Sequence, residues 1–336
     1  MSNIAVQLLV WNGLKYLPGC FESLFKQTLK DFSLFVLDND SHDGSREWLR
    51  QAEQSGRYPF TLKESEFNSG FAPGHNQLFS LHQAPYVLLL NQDIILEPDY
   101  LERLRSFLEQ TPQAAAVSGV LYRWRKTPDE NPVIDSWGLR ILQSGRVIEL
   151  GQGENTAAVP LRPAQVFGVS GALPLYRRQA LVEAADLPGE IFDGSFFAYK
   201  EDVDLAYRLR LSGWQAWVVP EARAWHDRTV AGKRELGDLT ALKNRRGRHD
   251  IARRYSYRNH LLVLYKDVPL EVWRRFWYKI GWYEAKKFIY LLVTEPAVWW
   301  FAWRELAHLA SWRKKRRRLQ RTRRVTAKEI RIWYTM

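Results

Sequence analysis

Apolar and polar positions alternate in blocks along the N-terminal part of the chain, and each block has the length of one secondary-structure element. Four apolar runs have the length of a strand, at residues 4–11, 32–37, 60–64 and 86–90. The stretches between them have the spacing of amphipathic helices that begin near residues 17, 45 and 70. Strands that alternate with helices predict an α/β fold, with a mostly parallel sheet flanked by helices.

The pattern is less regular in the middle of the chain. Residues 112–165 are rich in Gly, Pro and Arg and contain short β-like pieces such as Arg146–Leu150, so we predict a loop-rich insertion there. Further on, periodic apolar positions predict a helix over Glu201–Ser212 that ends at Gly213. A strand is expected over Gln215–Val219.

Charge divides the chain into two parts. The 336 residues are 46% hydrophobic and 26% charged, as in a globular protein, and the formal net charge is +12. Residues 1–230 have 22 Lys and Arg against 28 Asp and Glu, whereas residues 231–336 have 27 against 9, a net charge of +18. We therefore predict one domain over 1–230 and a basic region over 231–336 that meets a polyanion, either nucleic acid or an anionic membrane surface.

The basic region is also rich in tryptophan. Its helical pattern over residues 255–312 includes seven tryptophans, namely Trp273, Trp277, Trp282, Trp299, Trp300, Trp303 and Trp312. The apolar stretch at 288–303 is broken by Glu295-Pro296 and is shorter than the roughly 18 residues of a spanning helix, so we expect amphipathic helices that lie on a membrane. Residues 313–324 add nine Lys and Arg. An ordinary helical cap with a solvated basic face is the alternative.

The N-terminal sequence and the single Cys20 predict a cytoplasmic protein. Residues 1–3 lead directly into an apolar run without the basic segment of a secretory signal, and one cysteine cannot form an intramolecular disulfide. Together with the basic region, this predicts a peripheral location on the inner face of the plasma membrane.

Polar clusters follow the predicted strands, where ligands bind in α/β sheets. Asp38-Asn39-Asp40 can accept hydrogen bonds from a nucleobase or a ribose, although the same residue types also form helix caps and turns. Asn91-Gln92-Asp93 offers oxygen ligands to a hard cation such as Mg²⁺, or caps the next helix. The two glycines in residues 68–76 permit close approach to a ligand, or form a simple turn.

Two further candidates lie in the second half of the chain. Glu201, Asp202 and Asp204 occupy the first turn of a predicted helix. Acidic residues are ordinary there because of the helix dipole, but one of them could act as the general base for an acceptor hydroxyl. His226 could complete a metal site, or could be a packing residue beside a tryptophan.

Taken in order, these segments resemble the family 2 glycosyltransferases of the GT-A fold. The resemblance is carried by LLVWNG, FVLDNDSHDGS, FNSGFAPGHN, YVLLLNQD, VSGALPLYRR, FFAYKEDVDLAYRLRLSGW and VVPEARAWH, which run from about residue 4 to residue 227. Within this family the chain looks most like the bacterial rhamnosyltransferase-like branch. Many relatives have Asn-Pro-Asp-Thr where this chain has Asn91-Gln92-Asp93-Ile94, and paired histidines where it has Trp225-His226.

The resemblance implies a catalytic and metal-binding role for five candidates. Asp202 would correspond to the general base, with Glu201 and Asp204 supporting it or binding the acceptor. Asp93 would correspond to the metal-binding acid, for Mg²⁺ or Mn²⁺, with His226 as a further ligand.

The resemblance also implies binding roles. Gly171 would border the acceptor, and Arg258 would pair with a diphosphate of the nucleotide-sugar. The residues implied to line the nucleotide-sugar pocket are Asn12, Asp38, Asn39, Asp40, Asn68, Gly70, Asn76 and Asn91.

The function implied by the resemblance is inverting transfer of a sugar to a polyprenyl-diphosphate-linked glycan in cell-wall or surface-polysaccharide biosynthesis. The first candidate for the sugar is L-rhamnose, donated by dTDP-rhamnose. A UDP-linked hexose stays open as donor, since inspection of the pocket does not separate thymine from uracil. Nucleic-acid binding by the basic region is an alternative of a different class. The acidic first domain would repel a polyanion, so no nucleic-acid partner is expected. A nucleotidyltransferase and a non-catalytic scaffold of the same fold are further alternatives.

Overall fold

The computed structural model describes residues 2–124, 132–227, 250–305 and 309–336. Its N-terminal part alternates strands and helices as the sequence predicts. The elements are β1 (Ile4–Val10), α1 (Leu17–Phe25), β2 (Phe32–Asp38), α2 (Ser45–Gln54), β3 (Phe60–Glu64), α3 (Phe71–Phe79) and β4 (Tyr86–Asn91). Strand β1 pairs in parallel with both β2 and β4, and β2 pairs in parallel with β3. The predicted parallel arrangement is confirmed.

Helices cover both faces of this sheet, which is why its inner strands are almost continuously apolar. In β4, Leu88 and Leu90 belong to a core shared with α1, whereas Val87 and Leu89 belong to a second core on the opposite face, shared with α3. Because both faces are buried, the strands lack the alternation of a half-exposed sheet. The exception in β1 is Gln7, which is buried and lies within hydrogen-bond distance of His75 and His82.

The sheet continues through the middle of the chain. The elements there are β5 (Ile94–Leu96), α4 (Tyr100–Gln110), β6 (Ala114–Arg123), β7 (Ile134–Ser136), β8 (Leu139–Leu142), β9 (Val147–Glu149), β10 (Ala164–Val166), β11 (Leu175–Arg177), α5 (Arg178–Glu183), α6 (Glu201–Leu211) and β12 (Gln215–His226). The strand order is β10-β12-β6-β11-β4-β1-β2-β3, with β5 paired to β12 and β7 paired to β6. Strand β11 is antiparallel to both neighbours. The sheet is therefore mostly parallel with an antiparallel insert.

Two predictions about this middle part were wrong. Residues 112–165 are not only a loop-rich insertion, since β6 is a buried inner strand of the main sheet. Its small residues are not typical of a strand, so the sequence pattern did not indicate one. The glycine among them is required by packing, because a Cβ on Gly119 would meet the Ala222 carbonyl oxygen at 2.2 Å. Strand β12 does not end at Val219 but runs on to His226, so His226 is part of the sheet.

The C-terminal part is helical in its described residues, as predicted. It comprises α7 (Asp250–Lys266), α8 (Leu270–Thr294), α9 (Pro296–Glu305), α10 (Leu309–Thr322), α11 (Ala327–Arg331) and the short β13 (Tyr334–Thr335). Helices α8 and α9 are separated at Glu295. Among the described helices, none combines the length and the apolar character needed to cross a membrane. The predicted domain boundary at residue 230 lies outside the described residues.

The C-terminal part packs back onto the α/β domain. Strand β13 pairs in parallel with β8, which also pairs with β9 in a second, three-stranded sheet. The Tyr334 hydroxyl lies 2.6 Å from the Tyr207 hydroxyl of α6. Trp312 and Leu319 bury one side of α10 in the main core. The helices that follow the sheet thus contact the elements that carry the candidate site.

Candidate active site

The ends of β1, β2 and β4 bring three predicted clusters to one edge of the sheet. Val10 pairs with Asp38, and Leu9 pairs with Asn91, so the residues that follow these strands emerge side by side. Ligands bind beyond the carboxyl ends of strands in such sheets. The Gln92 amide joins two of these ends, since it accepts from the Trp11 backbone N–H at 3.0 Å and donates to the Trp11 carbonyl at 3.1 Å.

Asp38 is fully buried at the end of β2. Its Oδ1 accepts hydrogen bonds from the Ser41 backbone N–H at 3.0 Å and from Arg46 Nε at 3.2 Å. Its Oδ2 has no partner among the described residues. Buried carboxylate oxygens normally have donors, so this atom is suited to a hydroxyl or ring N–H of a ligand.

Asn39, Asn68 and Gly70 form a connected wall beside Asp38. Asn39 Nδ2 donates to Asn68 Oδ1 at 3.0 Å, and the Gly70 N–H donates to the same oxygen at 2.9 Å. Gly70 has φ +89°, and a Cβ there would meet the Phe197 carbonyl oxygen at 2.4 Å, so only glycine fits. Asn39 is buried and therefore shapes the pocket through these contacts.

The other predicted nucleotide-sugar residues differ in their surroundings. Asn12 and Asp40 have positive φ angles of 49° and 68° at the strand ends, and Asp40 is partly exposed there. Asn91, the last residue of β4, is half-buried at the same edge. Asn76 is different: its Oδ1 accepts from the Ile191 and Phe192 backbone N–H groups at 2.8 and 3.0 Å. A nucleotide contact of Asn76 is not supported, because its amide anchors this loop.

Asp93 and His226 meet at the same edge, as predicted for a metal pair. Asp93 Oδ2 lies 3.3 Å from His226 Nε2, and Asp135 Oδ2 lies 2.9 Å from Nδ1. Burial disfavours the charged ring, but the hydrogen bonds that the ring donates to Asp135 and Asp93 outweigh it and raise the pKa of His226 to about 9. Metal-binding histidines usually have such a carboxylate on the second nitrogen, so the donor set fits a divalent cation held by Asp93 and His226.

The three acidic residues at the start of α6 have three different environments. Asp202 is partly exposed, and its Oδ2 accepts from the Gly171 backbone N–H at 3.2 Å. Glu201 is buried, and burial together with repulsion from Asp202 raises its pKa to about 8. Asp204 is fully buried with its carboxylate 2.8 Å from Arg208 Nε and 2.5 Å from Lys266 Nζ. The predicted acceptor contact of Asp204 is therefore not supported.

Two hydrogen bonds connect Asp202 to the strand that leads to Asp93. Asp202 holds Gly171, and the next residue, Ala172, accepts a hydrogen bond from the Asn91 N–H at 3.0 Å. Asn91 is two residues before Asp93. The carboxylate suited to proton removal and the pair suited to a cation therefore lie at one end of β4.

A second group of carboxylates is occupied by a lysine. Asp186, Asp193 and Asp204 are buried and close enough together to hold a metal ion. Lys266 Nζ lies within 2.5, 2.8 and 2.5 Å of the three. Although burial disfavours the ammonium, these carboxylates, Asp204 foremost, raise the pKa of Lys266 well above its usual range. This cluster, the Lys266 cluster, is an ion-pair network between α6 and α7.

Arg258 lies close to the site but does not face it. Its Nη1 donates to the Ser195 carbonyl at 2.6 Å, and its side chain is buried. The next residue, Asn259, donates to the Ala198 and Tyr199 carbonyls at 2.9 and 2.7 Å. Tyr199 and Lys200 both have φ +71°, a strained conformation directly before α6. The predicted diphosphate contact of Arg258 is not supported, because α7 uses it to hold this loop.

Sequence reasoning missed three residues of the site. Asp135 lies on β7, inside the segment interpreted as an insertion, and a lone Asp there has no local signal. Gln92 lay within a recognised cluster, but no role was predicted for it. Its hydrogen bonds to the Trp11 backbone depend on the pairing of β1 with β4. Asn259 lay in the basic helical region, where only its contacts with loop 195–199 identify it.

The chain is similar to known proteins in both sequence and fold. Residues 6–210 match the model of the family described as glycosyl transferase family 2. An N-acetylglucosaminyl-diphospho-decaprenol L-rhamnosyltransferase of Mycobacterium tuberculosis is 25% identical over 263 residues, 72% of this chain and 81% of that protein. An uncharacterized glycosyltransferase of Methanocaldococcus jannaschii is 29% identical over 118 residues, 35% of this chain and 39% of its own length.

The solved structure of GalNAc-T7 with UDP, GalNAc and Mn²⁺ has a similar fold. It superimposes with a TM-score of 0.61 at 14% identity, over 94% of this chain and 55% of that chain. The chain thus spans less than two thirds of GalNAc-T7 and of the archaeal relative.

The fold and the family match define the class of the protein. It is a glycosyltransferase with the GT-A fold, as the sequence predicts. The chain belongs to glycosyl transferase family 2.

Proposed function

We propose that the chain is an inverting, metal-dependent glycosyltransferase. The observation that carries this proposal is the hydrogen-bonded connection from Asp202 through Gly171 and Asn91 to the Asp93–His226 pair. It supports the proposal because it connects a partly exposed carboxylate to the proposed cation site at one edge of the sheet. Such a pair of sites suits transfer of a sugar from a diphosphate to a hydroxyl.

In the proposed reaction, Asp202 accepts the proton of the acceptor hydroxyl while the acceptor oxygen bonds to the anomeric carbon. The bond between that carbon and the diphosphate oxygen breaks, and its electron pair leaves with the nucleoside diphosphate. One displacement inverts the configuration. A divalent cation, Mg²⁺ or Mn²⁺, held by Asp93 and His226 supplies charge neutralisation at the diphosphate.

The proposed donor is dTDP-L-rhamnose, and a UDP-linked hexose is the alternative. The mycobacterial relative, an L-rhamnosyltransferase, supports the first. The unpaired Asp38 Oδ2 offers an acceptor to the base or the ribose of either nucleotide.

The proposed acceptor is a polyprenyl-diphosphate-linked glycan in cell-wall or surface-polysaccharide biosynthesis, reached from the inner face of the plasma membrane. Exposed aromatic side chains on α8 and α9 support a peripheral membrane contact, since Trp277, Trp282 and Trp300 are all more than 60% exposed. Basic side chains interleave with them, including Arg274, Arg275 and Lys286.

A thermal-shift titration with dTDP, UDP, GDP and ADP, each with and without Mg²⁺ or Mn²⁺, tests the donor site. A ligand that binds the folded state raises its apparent stability. We expect stabilisation by dTDP or UDP that needs the cation and is lost in Asp93→Asn. Asp135→Asn should weaken cation binding about 10- to 100-fold through misorientation of His226. Stabilisation without any cation, or equal stabilisation of Asp93→Asn, would contradict the proposed metal site.

A further inference from the structure

An apolar groove lies between the C-terminal helices. It has a volume of about 840 Å³ and is lined mainly by Leu261 and Leu264 of α7, Trp273 and Phe288 of α8, Trp303 of α9 and Leu309 of α10. Trp303 is 40% exposed there. This volume falls within the roughly 300–1,000 Å³ of clefts that bind small molecules.

The wall of this groove has little polar chemistry of its own. Glu284 contributes a carboxylate, but His260 Nε2 lies 2.6 Å from its Oε1. Arg316 lies at the α10 side, where its guanidinium donates to the Tyr265 carbonyl. The groove therefore suits a hydrocarbon chain and offers no row of donors that would recognise a sugar or a base.

The groove adjoins a strongly basic face. Arg313, Lys314, Arg317, Arg318 and Arg321 line a second, open cleft along α10, and Leu309 belongs to the walls of both clefts. An occupant that enters the apolar groove past Leu309 therefore meets five cationic side chains next. This arrangement fits an amphiphile with a long hydrocarbon chain and a polyanionic head, as a diphosphate is.

Helix α7 contributes both to the wall of the groove and to the support of the candidate active site. Tyr257 lies in the groove wall, and its neighbours Arg258 and Asn259 hold the loop that leads into Glu201 and Asp202. An occupant of the groove would thus lie one helix away from the loop before the proposed base. This proximity favours a reaction partner over an unrelated lipid.

We propose that this groove binds the isoprenoid chain of the acceptor, with the acceptor diphosphate on the basic face of α10. The volume of about 840 Å³ gives room for a hydrocarbon chain of several isoprene units, since a water occupies about 30 Å³ in the liquid. The inference rests on the proposed function, because the lipid-linked acceptor is part of it. It adds a binding subsite for the hydrocarbon chain of the acceptor.

The test uses geranylgeranyl diphosphate below its micellar concentration, with binding followed by tryptophan fluorescence of the full chain. Ala285 is an exposed residue in the groove wall, so Ala285→Trp fills the groove without removing a packed side chain. Val293→Trp on the same helix, outside the groove and 74% exposed, is the matched control. We expect Ala285→Trp to raise the Kd at least tenfold and Val293→Trp to leave it within twofold.

Three results would overturn the proposal. They are equal affinity of both variants, binding of inorganic pyrophosphate as tight as that of the probe, and displacement of the probe by short-chain phosphatidylglycerol at equal concentration. The last would assign the groove to phospholipid. Cation-dependent stabilisation by dTDP or UDP is measured on the same variants. If wild type binds the probe but no nucleotide, the proposed function fails and the groove stands, whereas nucleotide binding without probe binding contradicts only the groove.

Discussion

Three neighbouring carboxylates at the start of α6 show how position decides the chemistry of a residue. Asp202 keeps a partly exposed carboxylate bonded to Gly171, Glu201 is buried, and Asp204 is neutralised by Arg208 and Lys266. The helix dipole favours all three equally, so their sequence positions alone do not rank them. Asp202 is the one that we propose as the base, because its carboxylate is the partly exposed one of the three.

Replacing Asp202 should therefore stop transfer without disturbing the donor site. We expect Asp202→Asn to lower the rate of sugar transfer about 10²- to 10⁴-fold, since the proposed base is lost at nearly constant size. Cation-dependent stabilisation by the nucleotide should remain. The measurement is turnover alongside the nucleotide thermal shift, and wild-type turnover of Asp202→Asn would contradict the assignment.

Glu201 should make stability depend on pH. Its pKa is raised from an ordinary 4.5 to about 8, so the folded protein keeps a proton that the unfolded chain loses within this window. Its contribution to the free energy of unfolding is fully present below pH 4.5 and is lost as the pH rises to about 8, at up to roughly 1.4 kcal/mol per pH unit.

Glu201→Gln has no such proton. The free energy of unfolding of the variant, relative to wild type, should therefore rise between pH 5 and pH 8. Urea denaturation at pH 5, 6, 7 and 8 measures this difference, and two parallel pH profiles would show that Glu201 does not titrate in this range.

At the scale of elements, α7 supports the active-site loop from the side of the basic region. Asn259 holds two carbonyls of loop 195–199, and Lys266 at the end of the helix joins Asp193 to Asp204 of α6. The strained Tyr199 and Lys200 lie between these contacts. The loop before Asp202 thus depends on a helix some sixty residues away in sequence.

Lys266→Met tests the largest of these contacts. Removal of the ammonium leaves three buried carboxylates with fewer partners, so we expect the free energy of unfolding to fall by about 3–5 kcal/mol. Lys328→Met, at an exposed position of α11, is the control and should change stability by no more than about 0.5 kcal/mol. Urea denaturation of both variants is the measurement. A loss below about 1 kcal/mol for Lys266→Met would show that the cluster is not important for stability.

Across the whole molecule, the charge is divided unevenly, with acidic residues in excess over 1–230 and basic residues in excess over 231–336. The exposed tryptophans and the basic face of α10 both lie in the C-terminal part. Aromatic side chains at the headgroup level and cations near anionic lipid act together in membrane binding.

We expect the chain to bind phosphatidylglycerol vesicles more tightly than phosphatidylcholine vesicles, with an affinity that falls as salt rises. The double variant Trp282→Ala with Trp300→Ala should bind at least tenfold more weakly, whereas Trp11→Ala, an exposed tryptophan at the sheet edge, should not. Vesicle co-sedimentation measures both. Tight, salt-sensitive binding to single-stranded nucleic acid without vesicle binding would instead favour the nucleic-acid alternative.

The first four strands were predictable from the sequence, because buried parallel strands are apolar runs that end abruptly in polar clusters. The family was predictable from the resemblance of the ordered segments. Strand β6 was not predictable, because Gly119 within it is required by the nearby Ala222 carbonyl and does not fit the residue pattern of a strand. Asp135 was not predictable either, because only its short distance to His226 in the folded chain identifies it as part of the candidate site.

The sequence by itself therefore determined which residue types end each strand, and the class of enzyme followed from the resemblance of the ordered segments to a known family. Tertiary structure alone decided which of those residues face a ligand. Asn76, Asp204 and Arg258 all belong to recognised segments, yet each is bonded inside the protein. The reason is physical: a hydrogen bond or ion pair needs partners within about 3 to 4 Å, and those partners come from parts of the chain that only folding brings together.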